Sequence, residues 1–384
     1  MYFGGRIAVN AIAFFVLVAL IGFFVDGGTY YRRFNKLFFV PVLLYVLYFI
    51  SLFYSYNSRV AFFDLQVNLS LILLPVLFGF EKKNPKINVN TVLMLYSFAS
   101  LFIMSLLIVL AFTKYFTTGI FPRYLDFSVF IHTSYLSMYL VFNILVNYYL
   151  FRNKSGKPNP NYLLLSILFS VVAVFLSDSK TGIITVLIVL SIILFNYLSG
   201  KSKRIAWITQ GVIILLVSII AITNPRFSIM LNFVKNYDKI INQPDRYVES
   251  TGERIMAWDA SVKLIKDNFW FGVGIGDSRD ALHDKYVDLH YLKPAELRLN
   301  SHNQYLETFL SIGIFGFALL LLFLILPLMI VKGDLRLLLT GFITVIAINF
   351  LSESMFKTQA GVIFIMFIYS LLISYKTPRK ILSS

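Results

Sequence analysis

The chain has 384 residues, of which 58% are hydrophobic and only 14% are charged, and its mean hydropathy is +0.77. A soluble globular domain carries roughly 25% charged residues, so this composition excludes an ordinary soluble protein and indicates a polytopic membrane protein. The chain has no cysteine, which excludes disulfides and thiolate sites, and we expect its formal charge of +15 to mark loop orientation and not nucleic-acid binding.

Apolar stretches along the chain predict an all-α polytopic membrane protein with about eleven, or twelve, transmembrane helices. Each stretch is close to the roughly 20 residues that a bilayer requires. The first is expected to be retained, because no small-residue cleavage site follows it, and no internal repeat is evident. The predicted spans lie near 7–25, 37–55, 60–80, 91–112, 125–150, 162–176, 181–198, 205–223, 303–330, 335–351 and 359–375.

The loops between these spans alternate between rich and poor in Lys and Arg. One alternate set has seventeen basic residues and the other has six. Since cytoplasmic loops carry the excess of basic residues, the richer set is predicted to face the cytoplasm, with the N-terminus outside and the C-terminus inside. The poorer set consists of Arg6, Arg59, Lys114, Arg123, Lys180 and Lys357.

One long polar segment, residues 224–302, falls on the outer side. It holds eleven basic and eleven acidic residues, a balance that favours a folded subdomain over a basic arm. It is far longer than a connection requires, and such loops usually carry function. We therefore predict three parts: an N-terminal bundle over 1–223, a mostly helical loop subdomain over 224–302, and C-terminal transmembrane helices over 303–384.

Two features stand out inside this loop. Residues 253–265 have an apolar stripe at helical spacing, which predicts a helix, and a second helix is expected from Asp277 to about His290. Between them lie Gly272, Gly274 and Gly276. Alternate glycines permit positive φ and close backbone approach, so they favour a structural turn, with an anion site at the following helix as the alternative.

The loop ends at Asn300, where an apolar span begins. Ser301 and Gln304 have the spacing of a capping box, which would place His302 in the first turn of a membrane helix. The helix dipole would there favour a neutral, basic imidazole. The alternative is an ordinary capped helix with an interfacial histidine.

Other ionisable residues are expected at the outer helix ends. Membrane-edge charges tend to face cavities or partners, which favours a functional role for Lys180; the alternative is a snorkelling lysine neutralised by Asp178. Glu353 and Lys357 are four residues apart, which predicts a helical ion pair. The chain has no Asp-x-Asp pair, so no metal site is expected.

Three stretches resemble the O-antigen ligase and O-antigen polymerase family of membrane glycosyltransferases. Residues 301–307 followed by 313–316 are similar to the family's His-Asn-x-Tyr-Leu…Gly-x-x-Gly signature. Residues 253–258 leading to 271–276 resemble the arginine–tryptophan helix and glycine turn of its large periplasmic loop. Residues 176–182 are similar to a Ser-x-Ser-Arg-Gly pattern, with Lys180 in place of arginine and a threonine inserted, so that the charge is kept and the bidentate fork is lost.

The resemblance implies a GT-C-like fold in the bacterial inner membrane, with the active site facing the periplasm. It implies transfer of a glycan from an undecaprenyl-pyrophosphate carrier to an acceptor hydroxyl on lipid A-core or another carrier-linked glycan, with inversion and without metal or cofactor. By the same resemblance, His302 would be the catalytic base, and Arg254 and Lys180 would bind the pyrophosphate. Residues of secondary interest are Gly274, Tyr305, Glu353, Lys357 and Arg123.

Several alternatives stay open on the sequence. Ligase and polymerase share these motifs, and a protein O-oligosaccharyltransferase would share them too. A lipid-linked oligosaccharide flippase would also bind such carriers, although transporters usually show internal repeats and paired broken helices. For Arg254 the alternative is a solvated surface arginine, and for the whole chain it is a membrane scaffold without chemistry.

Overall fold

The structure is a computed structural model. It describes residues 30–82, 88–153, 159–223, 237–247, 250–333 and 335–374, together with residue 235 and single helical positions between 10 and 22. Most of the predicted first span, 7–25, therefore lies outside the described residues, as do residues 224–234 of the predicted loop subdomain.

The described chain is helical apart from one short ribbon. The helices are α1 Phe39–Ser51, α2 Ser58–Val67, α3 Ser70–Gly79, α4 Val89–Thr118, α5 Thr133–Asn153, α6 Pro160–Leu176, α7 Lys180–Ser199, α8 Lys203–Thr223, α9 Tyr237–Asn242, α10 Ser250–Asp267, α11 Ser278–Asp288, α12 Leu292–Glu296, α13 Gln304–Ile330, α14 Arg336–Phe350 and α15 Gln359–Ser374. Single 3₁₀ turns lie at Lys36–Phe38, Leu52–Tyr54, Tyr124–Asp126, Pro244–Arg246 and Met355–Lys357.

Each predicted span from 37–55 onward contains observed helix, so the helical membrane architecture is confirmed, although the helix of the 125–150 span begins only at Thr133. The 60–80 span is a pair, α2 and α3, separated by a turn at Asn68 and Leu69. Among the described residues, six segments are long and apolar enough to cross a membrane, while α6, α14 and α15 are shorter apolar helices. The six are Lys36–Tyr54, Ser58–Gly79, Val89–Thr118, Thr133–Asn153, Lys180–Ser199 and Gln304–Ile330.

One short ribbon is a local exception to the predicted all-α fold. Strands β1 (Tyr30–Phe34) and β2 (Phe80–Lys82) form a two-stranded antiparallel ribbon, with Phe34 opposite Phe80. Beside the ribbon, Asn35 N donates to Gly79 O at 3.1 Å. The chain enters α1 and leaves α3 next to each other, and pairing satisfies backbone groups that would otherwise end unbonded beside the bundle.

Successive long helices run in opposite directions, so alternate helix ends meet at one end of the bundle. At one end, Thr181 Oγ1 donates to Ser352 Oγ (2.8 Å), which joins the start of α7 to the link between α14 and α15. At the opposite end, Asn35 Nδ2 donates to Ile373 O (3.3 Å). The polar segment 237–303 lies at the first of these ends, which we call the loop end.

The loop segment has its own hydrophobic cluster, separate from the large core of the helix bundle. Helix α10 spans residues 250–267 and α11 spans 278–288, so the two helices predicted in this loop are confirmed. The domain boundaries at 223 and 302 stay predictions. The cluster comprises Ile240, Ile255, Met256, Ala257, Ala260, Ile265, Leu282, Tyr286, Tyr291 and Leu310.

The loop docks on a break in helix α13. The backbone leaves helical geometry at Ile312 and Gly313, and Gly313 has a φ of 66°. Residues 269–274 lie against this break and satisfy backbone groups that the interrupted helix leaves free. The bonds run from Val273 N to Leu310 O (2.8 Å), from Gly274 N to Ser311 O (3.0 Å) and from Ile314 N to Phe269 O (3.0 Å).

Candidate functional site

The start of α13 differs from the predicted capping box. The N-cap is Asn303, whose side chain accepts from the amides of Tyr305 and Leu306. Ser301 Oγ donates instead to the Glu307 carboxylate at 2.8 Å. Asn and Ser are about equally good N-caps. With Asn303 as the N-cap, the buried Ser301 side chain can donate to the Glu307 carboxylate.

His302 therefore precedes the helix and does not lie in its first turn. Its backbone is left-handed, with a φ of 43°, and its amide donates to Asn300 Oδ1 at 2.9 Å. A non-glycine residue in this region costs roughly 1–3 kcal/mol and persists only when its surroundings hold it there. The imidazole is 27% exposed and directed toward the link between α14 and α15.

Glu353 lies at the centre of the polar cluster. Its carboxylate accepts from Arg254 Nη2 at 2.8 Å and from Ser134 Oγ at 3.1 Å, and its other oxygen lies 3.4 Å from His302 Nδ1. The side chain is only 10% exposed. Burial alone would raise the pKa of Glu353, but the His302 hydrogen bond and the Arg254 charge outweigh it and hold the pKa below its usual range.

This contact assigns the two nitrogens of His302. An ionised carboxylate only accepts hydrogen bonds, so Nδ1 carries the proton that faces Glu353. In the neutral imidazole, Nε2 then has a free lone pair and can accept a proton from a substrate. A carboxylate that orients a histidine in this way also stabilises the imidazolium that forms when the histidine acts as a base.

Lys180 and Arg254 converge on the same side of this cluster. Lys180 Nζ donates to Thr251 Oγ1 at 3.3 Å, one turn before Arg254 on α10. Asp178 pairs with Arg123 Nε at 3.5 Å, so the alternative in which Asp178 neutralises Lys180 is wrong. Within the described part of the chain Lys180 forms no ion pair and is exposed, which leaves its charge available to an anion.

Lys357 pairs with Asp64 and Glu307, and not with Glu353, the partner that a spacing of four residues predicts. Its ammonium lies 2.8 Å from Asp64 and 3.1 Å from Glu307, and it donates to Ser278 Oγ at 2.9 Å. The predicted Glu353–Lys357 pair is wrong, because residues 351–358 form a turn and a 3₁₀ segment and not a continuous helix. The two nearby carboxylates outweigh burial and raise the pKa of Lys357.

Tyr305 and Gly274, two of the residues of secondary interest, make contacts that hold parts of the fold together. Tyr305 OH donates to Ala347 O at 3.1 Å and its ring lies against Phe350, so it fixes α13 to α14. Gly274 has a φ of 101°, and a Cβ there would lie 2.4 Å from Ser55 Oγ. Its amide already donates to Ser311 O, so this amide is not available to bind an anion.

The amides on either side of Gly274 are likewise used within the protein. They donate from Gly272 to Asn268 O, from Val273 to Leu310 O, from Ile275 to Ser51 Oγ, from Gly276 to Ser55 Oγ and from Asp277 to Gly274 O.

His132 completes the charged surroundings. Burial lowers its pKa, and the neighbouring charges of Glu353, Arg254 and His302 also act on it. No group of three or more His, Cys, Asp or Glu side chains in the described part of the chain is arranged to hold a metal ion.

The sequence did not reveal the partners in this cluster. The four-residue spacing predicts Lys357 as the partner of Glu353, which is wrong, and no sequence pattern marks Ser134. The position of Glu353 in the sequence is the one feature that indicates a distant partner. It lies in a link of eight residues between two apolar spans, where a carboxylate needs a partner from another part of the chain.

Comparisons with known proteins match part of the chain. Residues 165–321, less than half of the chain, match the family model described as O-antigen ligase. An uncharacterised protein of Haemophilus influenzae is 29% identical over 189 residues, which cover 48% of this chain and 47% of that protein. The chain thus spans about half the length of the curated relative that it matches. The family match contains Lys180, Arg254 and His302, and it confirms the family resemblance.

Proposed function

Since residues 165–321 match the family model described as O-antigen ligase, we propose that this protein is an inverting, metal-independent glycosyltransferase that uses a lipid-pyrophosphate-linked glycan donor. The donor is a glycan on undecaprenyl pyrophosphate, and the acceptor is a hydroxyl of lipid A-core or of another carrier-linked glycan. The observation that carries this proposal is the meeting of His302, Glu353, Arg254 and Lys180 at one end of the bundle.

The cations suit the leaving group. As the bond between the anomeric carbon and the pyrophosphate oxygen breaks, its electron pair goes to the pyrophosphate, where negative charge increases. Arg254 uses Nη2 on Glu353 and keeps its other N–H groups for the phosphate. Fixed donors of this kind stabilise charge that develops in the transition state, and Lys180 adds a second positive charge across the site.

The histidine suits the nucleophile. The acceptor oxygen attacks the anomeric carbon from the face opposite the pyrophosphate, and its proton goes to His302 Nε2. The imidazolium that forms is then stabilised by Glu353, 3.4 Å from Nδ1. General-base catalysis by a positioned side chain typically contributes about 10²–10⁴-fold to the rate.

The loop charges support a location in the inner membrane with this site on the periplasmic side. The loop end holds the basic-poor links, including Arg123 and Lys180, and the opposite end holds basic-rich ones, including Arg152 and Lys201. Because basic loops stay in the cytoplasm, we expect the site to face outward, where enzymes of the family that the chain resembles take the glycan from its carrier.

The test is transfer by the purified protein in nanodiscs. We expect it to join or elongate glycans supplied on synthetic undecaprenyl pyrophosphate, with release of the carrier pyrophosphate. A flippase would move the carrier and leave every glycosidic bond intact, so carrier movement without product would overturn the proposal. Deletion of the gene distinguishes a ligase from a polymerase. Cells without a polymerase still add single repeats to the acceptor, whereas cells without a ligase add none.

A further inference from the structure

A second charged cavity lies beside the site, where the starts of α2 and α11 meet. Its volume is about 270 Å³, just below the roughly 300 Å³ at which small-molecule sites begin, so it has room for one sugar-sized group and not for an oligosaccharide. The lining residues are Arg59, Val60, Phe63, Asp64, Ser278, Arg279 and Lys357.

Two of the cations that line this cavity are free. Arg59 and Arg279 are exposed, and neither forms an ion pair or a side-chain hydrogen bond with any residue that the structure describes. Each is the second residue of its helix, where the N-terminal end of the helix dipole also favours an anion. Arginine is the side chain best suited to bidentate recognition of phosphate.

The base of the cavity is polar but balanced. Lys357 uses its three donors on Asp64 Oδ2, Glu307 Oε1 and Ser278 Oγ. It therefore holds the base of the cavity in place and offers no further donor to a ligand. No described residue donates to Asp64 Oδ1, so that oxygen is suited to accept a sugar hydroxyl. The cavity thus combines two phosphate-binding groups with one hydroxyl-binding group.

The acidic neighbours do not cancel the two arginines. Asp277 accepts from the amides of Tyr56 and Asn57 at 2.7 and 2.8 Å, which ties α11 to the start of α2. Asp280 lies 3.7 Å from Arg298 and accepts from the Asn57 side chain. Both carboxylates are thus engaged within the protein.

The cavity opens beside an apolar surface. Phe63 lines it and is 62% exposed, and nearby Phe53, Tyr56 and Phe62 are exposed as well. Aromatic side chains are enriched where a membrane protein meets the lipid–water interface. A ligand anchored in the membrane can therefore reach the arginines from the side.

The cavity is also close to His302. Glu307 contacts Lys357 with one oxygen (3.1 Å) and Ser301 with the other (2.8 Å), and Ser301 is adjacent to His302. The two sites thus lie on either side of one buried carboxylate. We infer that this cavity binds a phosphate-bearing sugar of the acceptor, with the phosphate on Arg59 and Arg279 and a hydroxyl on Asp64, while the donor pyrophosphate occupies Arg254 and Lys180.

The assignment of this ligand to the acceptor depends on the proposed function, whereas the sugar-phosphate site itself does not. Binding is measured first with α-D-glucose 1-phosphate, and then with undecaprenyl phosphate in phosphatidylcholine nanodiscs. We expect the Arg59→Ala/Arg279→Ala double variant to bind glucose 1-phosphate at least tenfold more weakly than wild type. Arg246→Ala, which removes an exposed arginine of the same loop segment, should stay within about twofold.

Unchanged glucose 1-phosphate binding by the double variant would overturn the cavity as a sugar-phosphate site. Tighter binding of undecaprenyl phosphate than of glucose 1-phosphate, lost in the same variant, would identify a lipid-linked phosphate as the source. The reverse order would identify a phosphate on the glycan itself.

The acceptor role is tested in the transfer assay. The double variant should raise the KM for the acceptor at least tenfold and leave the KM for the donor unchanged, because the donor site is separate. A change in the donor KM alone would contradict the acceptor role. If wild type transfers no glycan from any donor, the proposed function fails, and the binding measurement still decides whether the cavity takes a sugar phosphate.

Discussion

At the scale of single residues, Glu353 connects the imidazole of His302 to the guanidinium of Arg254. Glu353→Gln keeps the shape of the side chain and removes its charge. We expect turnover to fall by between about tenfold and 10⁴-fold, because the amide can present either end to Nδ1 and no longer stabilises the imidazolium. The measurement is kcat in the reconstituted transfer assay. Turnover equal to wild type would show that Glu353 does not orient His302.

Glu353 also makes stability depend on pH. Because its pKa is lower in the folded protein, its contribution to stability is fully present above the ordinary value of 4.5 and is lost as the pH falls through the folded pKa. We expect the difference in apparent Tm between wild type and Glu353→Gln to be largest above about pH 5 and to narrow toward pH 3. A difference that grows on acidification would contradict this sign.

Lys357 has a structural role that can be tested separately. Lys357→Met leaves the buried Asp64 and Glu307 carboxylates without their cation, and breaking a buried pair in this way costs about 3–5 kcal/mol. We expect a lower apparent Tm and a lower yield of folded protein. Adding Glu307→Gln should restore part of the loss, since one unpaired charge is removed. A single variant as stable as wild type would show that the cluster is not ionised.

These residues also show what the sequence could predict about the site. His302, Arg254 and Lys180 lie in stretches that resemble family motifs, and the structure brings them to one end of the bundle. The partner of each was not predictable, because pairs such as Glu353–Arg254 join residues 99 positions apart. A spacing of four residues predicted the pairing of Glu353 with Lys357, and that rule holds only along a continuous helix.

At the scale of elements, the break in α13 positions the loop. Gly313 has a φ of 66°, and a Cβ there would lie 2.1 Å from Trp270 O. We expect Gly313→Ala to destabilise the protein by about 2–4 kcal/mol, through backbone strain and the displacement of residues 269–274.

The matched control for this variant is Gly211→Ala in the middle of α8, where an added Cβ meets no atom within 4 Å. That variant should be neutral or more stable by up to about 1 kcal/mol. Equal stability of the two variants, measured as apparent Tm in the same detergent, would contradict the role assigned to the break.

The helices were more predictable than the way they meet. Apolar runs of about 20 residues identify membrane helices, because every backbone polar group must be satisfied within the segment. The pairing of β1 with β2 and the docking of residues 269–274 on α13 depend on neighbours that are distant in the sequence. The glycines at 272, 274 and 276 predicted a close approach of the backbone, but they did not show which segment approaches.

At the scale of the whole molecule, the orientation can be measured directly, because the chain has no cysteine. Arg246→Cys places a single thiol on the loop end, and Lys201→Cys places one at the opposite end; both positions are exposed. We expect a membrane-impermeant maleimide to label Arg246→Cys in intact spheroplasts and to label Lys201→Cys only after the membrane is opened. The reverse pattern would place the site on the cytoplasmic side.

The central claim is that His302 removes the proton of the acceptor hydroxyl in a glycan transfer. The most direct measurement is transfer by His302→Ala protein in nanodiscs, with binding of the undecaprenyl-pyrophosphate donor measured on the same sample. We predict that product formation falls by about 10²-fold or more, whereas donor binding stays within a few-fold of wild type, because Arg254 and Lys180 are intact. Product formation at the wild-type rate by this variant would contradict the account.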